Sequence, residues 1–177
     1  QSRKRMHKDT LEELANSIKQ QGIIQPLVAR KQASGSYEIV TGERRWRAAQ
    51  IAGLETVPTI TKDLNNDEVA KISLIENLQR EDLNSMDQAR GLQRLQMEFN
   101  LSQQDLADAI GKSRPTVANT LRLTRLSAVV QEMLEVGKIE MGHARALLSL
   151  DEEKQIALAK EIVSKGLSTR EAETLVS

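Results

Sequence analysis

A chain of 177 residues with 39% hydrophobic and 28% charged residues is expected to fold into one or two soluble domains. The lack of cysteine excludes disulfides, cysteine-ligated zinc and a cysteine nucleophile, and two histidines argue against a histidine metal site. The sequence has no membrane-spanning apolar run and no visible signal peptide, and because it begins at Gln1 rather than Met we expect an N-terminal piece to be missing.

The net charge is zero, which argues against a uniformly basic nucleic-acid binder. The charges are nevertheless uneven along the chain. Residues 1–60 carry ten Lys/Arg against six Asp/Glu, whereas residues 61–100 carry five against eight. Residues 111–126 carry four basic residues and no acid. Two local basic patches therefore mark the places where an anionic ligand could bind.

The first part of the chain mixes helix and strand signals. After a basic lead-in, a helix is predicted from residue 9 or 10 to 21, with Thr10 and Glu13 as a capping box and Gly22 as its C-cap. Strands are predicted over residues 25–30, 37–40 and 57–60, the first two joined by the turn 33–36. This pattern predicts a small α+β unit with a mixed sheet.

Residues 40–49, the cradle segment, join the second strand to a helix through one glycine, Gly42. Three arginines, Arg44, Arg45 and Arg47, follow within four positions. Unpaired N–H groups and the dipole at a helix start favour anions, and guanidinium groups match phosphate oxygens bidentately. We therefore consider a polyphosphate cradle. The alternative is a solvated basic helix with Trp46 in the core, and charge alone favours that alternative.

From residue 65 the pattern is helical throughout. Helices are predicted over residues 67–78 and about 86–99, the second with Ser85 and Gln88 as a capping box. We place the domain boundary near Leu83, which gives domains 1–82 and 83–177.

Residues 102–123 carry the pattern of a helix-turn-helix. Ser102 caps a helix over residues 103–110, Gly111 permits the sharp turn, and Ser113 caps a second helix with Pro115 in its first turn. The outward residue types on the second helix suit base edges and phosphates; they are Ser113, Arg114, Thr116, Asn119 and Thr120. The alternative is an ordinary helical hairpin.

Helices are also predicted over residues 127–136, about 141–150 and about 152–165, and a last helix starts at Ser168. These helices form a scaffold around the helix-turn-helix. His143, beside Arg145 at a helix start, could reach phosphate, and a capping or core role is an equal alternative.

Five stretches in this order resemble the ParB family of bacterial chromosome-partitioning proteins, and its proteobacterial chromosomal members more than its plasmid members. They are Gly22-Ile23-Ile24-Gln25-Pro26, Gly42-Glu43-Arg44-Arg45-Trp46-Arg47-Ala48, Glu76-Asn77-Leu78-Gln79-Arg80, Gly111-Lys112-Ser113-Arg114-Pro115 and Gly142-His143-Ala144-Arg145-Ala146. The resemblance covers essentially the whole chain. It implies a ParB/sulfiredoxin-like N-terminal domain followed by an all-α domain; the redox chemistry of sulfiredoxin is excluded because cysteine is absent.

The resemblance further implies slow CTP hydrolysis to CDP and phosphate in the N-terminal domain, with Mg²⁺ near Glu76 and Asn77. The implied nucleotide-binding residues are Gln1, Arg3, Gly22, Ile23, Gln25, Pro26, Thr41, Gly42, Glu43, Arg44, Arg45, Arg47, Glu76 and Asn77. Ser2 stands where the family's Gln-x-Arg motif usually has Pro. No residue is an obvious general base, and Glu43 and Gln1 are the candidates. No P-loop lysine motif is present.

For the second domain, the resemblance implies binding to parS, the family's palindromic centromere site, by a dimer. The implied DNA-binding residues are Lys112, Ser113, Arg114, Thr116, Asn119, Thr120, Arg122, Gly142, His143 and Arg145. Arg114, Thr120 and Gly142 are parS-type residues, whereas Arg125 departs from the small residue often found at its position. The related nucleoid-occlusion proteins read a different site.

The function so implied is a CTP-dependent clamp. It closes around DNA, slides away from parS and reopens after hydrolysis, in the cytoplasm on the bacterial nucleoid. A ParA-type ATPase would bind through a segment outside this sequence, as would the family's C-terminal dimerisation domain. The alternatives are a nucleotide-independent DNA-binding repressor and a nucleoid-occlusion protein.

Overall fold

The structure, a computed structural model, describes residues 2–177, with side chains from residue 10 onward. The chain divides into two compact units, Gln1–Glu76 and Asn77–Ser177. The elements of the first unit are α1 (Ser2–Gln21), β1 (Leu27–Lys31), β2 (Tyr37–Thr41), α2 (Glu43–Ile51), β3 (Thr59–Thr61) and α3 (Asn66–Leu78), whose last turn crosses the unit boundary. The first unit is therefore an α+β unit.

The sheet of the first unit has the strand order β2-β1-β3 and is mixed. β1 and β2 are antiparallel, with Ala29 opposite Ile39, and an irregularity in register lies between Val28 and Ala29. β1 and β3 are parallel, with Val28 opposite Ile60. The short β1–β2 connection closes by a hydrogen bond from the Gln32 N–H to the Ser36 carbonyl at 2.8 Å. β2 then ends at Thr41, and the chain enters α2 at Glu43 after the single residue Gly42.

One cluster of buried residues in the first unit lies where α1 meets α2. Ala15, Ile18 and Ala48 are almost fully buried, and Leu11, Leu14, Ile23 and Ala52 pack against them. Small residues at this contact let the two helix backbones approach closely. Burial of this apolar surface holds α2 against α1.

The second unit is helical. Its elements are α4 (Ser85–Phe99), α5 (Gln103–Ile110), α6 (Arg114–Arg122), a 3-10 turn (Leu123–Arg125), α7 (Ala128–Glu135), α8 (Met141–Leu147), α9 (Glu152–Lys165) and α10 (Thr169–Val176). One continuous apolar core joins α4, the 3-10 turn and α7 to α10, with Met86, Leu123, Val130 and Leu147 fully buried in it. The predicted fold class, a small mixed-sheet α+β domain followed by an all-α domain, is confirmed.

A buried amide braces the helical core. Gln155 is 4% exposed; its Oε1 accepts from the Ser127 N–H at 2.9 Å, and its Nε2 donates to the Leu150 carbonyl at 3.0 Å. Both ends of the amide are therefore satisfied, as a buried polar group requires. Among the described residues, no helix is both long enough and apolar enough to cross a membrane.

Two predicted helix starts are wrong. α1 begins at Ser2, so Thr10 lies inside the helix and does not cap it, and the predicted basic lead-in is helical from residue 2. α4 is capped by Asn84, whose side chain accepts from the Asp87 N–H at 2.8 Å, in place of the predicted Ser85–Gln88 pair. Both Asn and Ser are good N-caps. The predicted cap is therefore one residue too late.

Candidate phosphate cradle and nucleic-acid interface

Gly42 connects β2 to α2 in a conformation that other residues adopt with strain. Its φ is +102°, in the left-handed region, and the residue is buried. A Cβ built there would lie 2.5 Å from Leu27 Cδ2 and 3.0 Å from Arg45 Nη2. Backbone conformation and space therefore both require glycine, and the start of α2 sits directly against the start of β1.

Arg45 joins the cradle segment to the 22–26 segment. Its Nη1 donates to the Gln25 carbonyl at 2.6 Å and to the Pro26 carbonyl at 3.0 Å. Its Nη2 lies close to the Gly42 backbone, as the distance to a Cβ built there shows. The cradle segment and the 22–26 segment, which are separate in the sequence, are thus joined by one guanidinium group. Arg45 organises the walls of this region, in addition to contributing a positive charge.

The other two arginines of the cradle segment are exposed and make side-chain contacts. Arg44 Nη2 donates to Thr10 Oγ1 at 3.2 Å, which ties α2 to α1. Arg47 Nη2 pairs with Glu43 Oε1 at 2.8 Å, and both side chains are about 60% exposed. Exposed pairs of this kind contribute about 0.2–1 kcal/mol, so a phosphate can displace the carboxylate at small cost. Both arginines can therefore reach an anion at the start of α2.

Trp46 is not the core residue that the alternative interpretation requires. Its side chain is 37% exposed and lines an open cavity of about 330 Å³ on one face of the sheet, together with Tyr37 and Ile39. The most exposed large apolar residue among the described side chains of this unit is Ile24, at 83%, in the 22–26 segment. Exposed apolar surface beside exposed arginines is what a ligand with a planar apolar part and a charged part would cover.

The remaining predicted nucleotide residues are placed as follows. Glu76 and Asn77 lie exposed in the last turn of α3, and Thr41 ends β2 half-buried beside Gly42. Gln1 and the side chain of Arg3 lie outside the described residues. No group of three or more His, Cys, Asp or Glu that could hold a metal occurs among the residues that the structure describes. A metal bound by Glu76 and Asn77 would therefore need further oxygen ligands from phosphate or water.

The helix-turn-helix forms as the cap signals predict. Ser102 and Asp105 form a reciprocal capping box at α5, with both hydrogen bonds at 3.0 Å. Gly111 ends α5 at φ +69°, and Ser113 caps α6 through a 3.3 Å bond from the Thr116 N–H. Ala107 and Val117 are almost fully buried between the helices and α4. Local caps and a small-residue contact thus set the geometry of the turn.

The outward face of α6 presents the predicted DNA-contacting side chains to solvent. Exposed there are Lys112, Ser113, Arg114, Thr116, Asn119 and Arg122, and Thr120 is half-buried. The Thr120 hydroxyl donates to the Thr116 carbonyl at 2.9 Å, and its oxygen can still accept a hydrogen bond. Exposed guanidinium, amide and hydroxyl groups at the N-terminal half of a recognition helix are the groups that read base edges.

His143 takes the capping role that was the equal alternative to phosphate binding. It is 7% exposed, its Nδ1 accepts from the Glu140 N–H at 3.0 Å, and its Nε2 donates to the Leu167 carbonyl at 2.8 Å. Both ring nitrogens are therefore used inside the protein. Gly142 has a similar packing role, because a Cβ there would lie 2.5 Å from Thr169 Cγ2. In this stretch, only Arg145 has a fully exposed side chain.

We expect His143→Ala to destabilise the helical unit without a specific loss of DNA contacts. The change leaves the Glu140 N–H and the Leu167 carbonyl unpaired, which costs about 2–4 kcal/mol in total. A loss of that size lowers the melting temperature of a domain of this length by about 10 °C or more. Thermal unfolding followed by circular dichroism measures it. Arg145→Ala is the control and should melt like the wild type; equal melting of His143→Ala and wild type would contradict the packing role.

Family comparisons give the chain's relationships. The model described as "ParB N-terminal domain" matches residues 1–78, and the model described as "ParB HTH domain" matches residues 81–177. The chain belongs to the ParB family. The two ParB matches meet between residues 78 and 81, and the two compact units meet after Glu76; the boundary after residue 82 stays a prediction.

Curated ParB relatives match almost the full chain. The chain is 52% identical over 176 residues to the probable chromosome-partitioning protein ParB of Pseudomonas putida, covering 99% of this chain and 61% of the relative. It is 53% identical over 176 residues to that of Vibrio cholerae, covering 99% and 60%. The chain therefore spans about three fifths of the length of these relatives.

A solved structure shares the fold. C-terminally truncated ParB from Caulobacter crescentus, complexed to the centromeric parS site, superposes with a TM-score of 0.83 at 45% identity, covering 95% of this chain and 87% of that one. The recognition of the ParB family from the five sequence stretches is confirmed. The individual nucleotide-binding and DNA-binding residues stay predictions.

Proposed function

We propose that this chain is the nucleotide-binding and DNA-binding part of a chromosome-partitioning protein that recognises parS and acts as a CTP-dependent DNA clamp on the nucleoid. The observation that carries the proposal is the presence, on one chain, of a glycine-arginine cradle and a capped helix-turn-helix. The parS complex of the Caulobacter relative supports the DNA ligand. Recognition of a palindrome by one helix per half-site requires a dimer.

The cradle suits a nucleoside triphosphate. Arg44 and Arg47 are exposed beside the start of α2, and Arg45 is fixed by two backbone carbonyls. A polyphosphate carries several charged oxygens. Guanidinium groups at several positions and the N–H groups at a helix start can each bind different oxygens of it. The 22–26 segment, held by Arg45, would contact the base. Cytosine is the base that the family resemblance implies.

Glu76 and Asn77 offer one carboxylate and one amide oxygen in an exposed helical turn, which fits the few protein ligands that Mg²⁺ takes beside phosphates. When bound, the ion would neutralise charge on the phosphates. In the chain itself, Glu43 accepts from Arg47, and this pair positions the carboxylate near the start of α2. Glu43 and Gln1 remain the candidates for activating water. CTP hydrolysis that resets the clamp is what the family resemblance implies for this site.

CTP and parS would act on one equilibrium between open and closed dimers. Each ligand shifts it only as far as its affinities for the two states differ. CTP would favour the closed clamp, parS would load the open one, and hydrolysis would reopen it. A ParA-type ATPase and the family's dimerisation domain would act through parts of the protein outside this sequence.

Calorimetric titration of the four ribonucleoside triphosphates, with and without parS duplex, tests the nucleotide half of the proposal. Of the four nucleotides, only CTP should bind measurably. Arg45→Ala should weaken CTP binding about tenfold or more, since a charge-assisted hydrogen bond contributes about 1.5–3 kcal/mol. Lys31→Ala, an exposed change on β1, is the control and should leave CTP binding unchanged. If parS binding persists with no nucleotide binding at all, the chain acts as a nucleotide-independent repressor and the clamp proposal is wrong.

A further inference from the structure

An open cavity of about 350 Å³ lies beside the recognition helix α6, within the helical unit. One wall is formed by the connection between α3 and α4, with Gln79, Arg80 and Glu81. The opposite wall is formed by the turn and the exposed side of α6, with Lys112, Thr116 and Thr120. The three residues named for the second wall are among those predicted to contact DNA. A duplex seated on α6 would therefore cover the mouth of this cavity and face Arg80.

Close packing fixes the α3–α4 connection in this place. Gly91 of α4 has no Cβ, and a Cβ built there would overlap the side chain of Leu78. Leu78 therefore seats directly on the α4 backbone, two residues before Arg80. The Arg80 N–H also donates to the Asn77 carbonyl at 3.4 Å. The position of Arg80 beside α6 is thus set by the backbone around it.

The Arg80 guanidinium already holds a bidentate partner. Its Nε donates to Asp82 Oδ1 at 3.1 Å and its Nη2 to Asp82 Oδ2 at 3.0 Å, with the side chains 53% and 64% exposed. An exposed ion pair of this kind contributes little to stability. The same fork of donors matches two phosphate oxygens. Replacing Asp82 by a phosphate therefore keeps the donor geometry and loses little.

The charge of the cavity indicates which anion it takes. Arg80 and Lys112 are balanced by Glu81 in the lining and by Asp82 beside it. A free anion gains little from such a balanced site. A phosphate of a duplex that α6 already holds is presented at high effective concentration and needs no net attraction of its own. The observations thus favour a DNA phosphate over a free phosphate or nucleotide.

We propose that Arg80 is a further DNA contact of this protein, which exchanges Asp82 for a backbone phosphate when a duplex lies on α6. The inference rests on the proposed function, because it takes α6 as the DNA-reading helix. Arg80 lies in the same five-residue stretch as Glu76 and Asn77, the residues proposed for the nucleotide. One short segment would then contact both ligands of the protein.

The test measures binding of the full chain to a parS duplex and to a scrambled duplex by fluorescence anisotropy, without nucleotide, over a series of salt concentrations. Arg80→Ala should weaken both complexes about five- to tenfold and reduce the salt slope by about one, as expected for the loss of one phosphate contact. Asp82→Asn should tighten both, since it releases Arg80 and removes a repelling charge. Arg94→Ala is the matched control: it removes an exposed, carboxylate-paired arginine of α4 that does not line the cavity.

Equal affinities and salt slopes for Arg80→Ala and Arg94→Ala would overturn the inference, as would weaker binding by Asp82→Asn. Arg80→Ala is expected to weaken DNA binding and Asp82→Asn to strengthen it. A general loss of folding would weaken binding in both variants and so cannot produce this result. Arg114→Ala is measured in parallel. If it loses parS binding while Arg80→Ala matches the control, only this inference fails; if it keeps parS binding, the proposed DNA-reading role of α6 fails.

Discussion

Gly42→Ala is expected to reduce CTP affinity on the order of a hundredfold, which corresponds to about 2.7 kcal/mol. A non-glycine residue at φ +102° carries a strain of about 1–2 kcal/mol. The new methyl group would also lie 2.5 Å from Leu27 Cδ2 and 3.0 Å from Arg45 Nη2. Relief of these contacts must move α2 away from β1 or displace the Arg45 guanidinium. Either movement breaks the contact between the cradle segment and the 22–26 segment.

Gly35→Ala is the matched control for Gly42→Ala. Gly35 also has a positive φ, +87°, but a Cβ built there meets nothing within 4 Å. The control therefore carries the backbone strain without the steric overlap, and it should lower stability slightly while keeping CTP affinity. Isothermal titration measures affinity, and thermal unfolding measures stability, for both variants. Full CTP affinity in a folded Gly42→Ala protein would show that the cradle does not bind the nucleotide.

Arg114→Ala is expected to weaken parS binding by ten- to a hundredfold, since a good bidentate base contact contributes about 1–3 kcal/mol of discrimination. Arg114 is exposed at the first position of α6, directly after the capping Ser113. In helix-turn-helix proteins the N-terminal residues of the recognition helix contact base edges, and we expect Arg114 to do so here. The affinity for scrambled DNA should fall much less, because Arg114 can contact only phosphates there and no specific base.

Arg122→Ala, at the other end of α6, provides the comparison for Arg114→Ala. It removes the same charge from the same helix, but we expect it to weaken parS and scrambled DNA by similar factors, as a phosphate contact does. Anisotropy with the two duplexes at fixed salt gives the ratio of affinities for each variant. The base-reading role of Arg114 is wrong if Arg114→Ala lowers both affinities equally and so leaves that ratio unchanged.

The features that sequence reasoning predicted well depend on neighbours in the chain. Ser102, Gly111 and Ser113 define the helix-turn-helix because a cap acts on backbone groups two or three residues away. Gly42 was identifiable for the same reason: a lone glycine between a strand and an arginine-rich helix start. The cap of α4 was misplaced by one residue, because Asn84 and Ser85 are both residue types that cap helices well and the prediction chose Ser85.

The features that were missed depend on contacts between distant parts of the chain. Arg45 donates to carbonyls twenty residues earlier, and carbonyl groups leave no mark in the sequence. For His143, two roles stayed open because the partner of its Nε2, the Leu167 carbonyl, lies twenty-four residues later in the chain. Arg80 belonged to a stretch noted for its neighbours Glu76 and Asn77, and its proximity to α6 follows from the seating of Leu78 on Gly91. Tertiary packing of this kind was outside the reach of local patterns.

Trp46 is the single tryptophan of the sequence, and it lies between two of the cradle arginines with 37% of its side chain exposed. Indole emission is sensitive to the polarity and the charge around the ring, and here one indole accounts for essentially all of the intrinsic fluorescence of the chain. The protein therefore carries an optical reporter at the start of α2 without any label. Occupancy of the cradle can be followed in real time on unmodified protein.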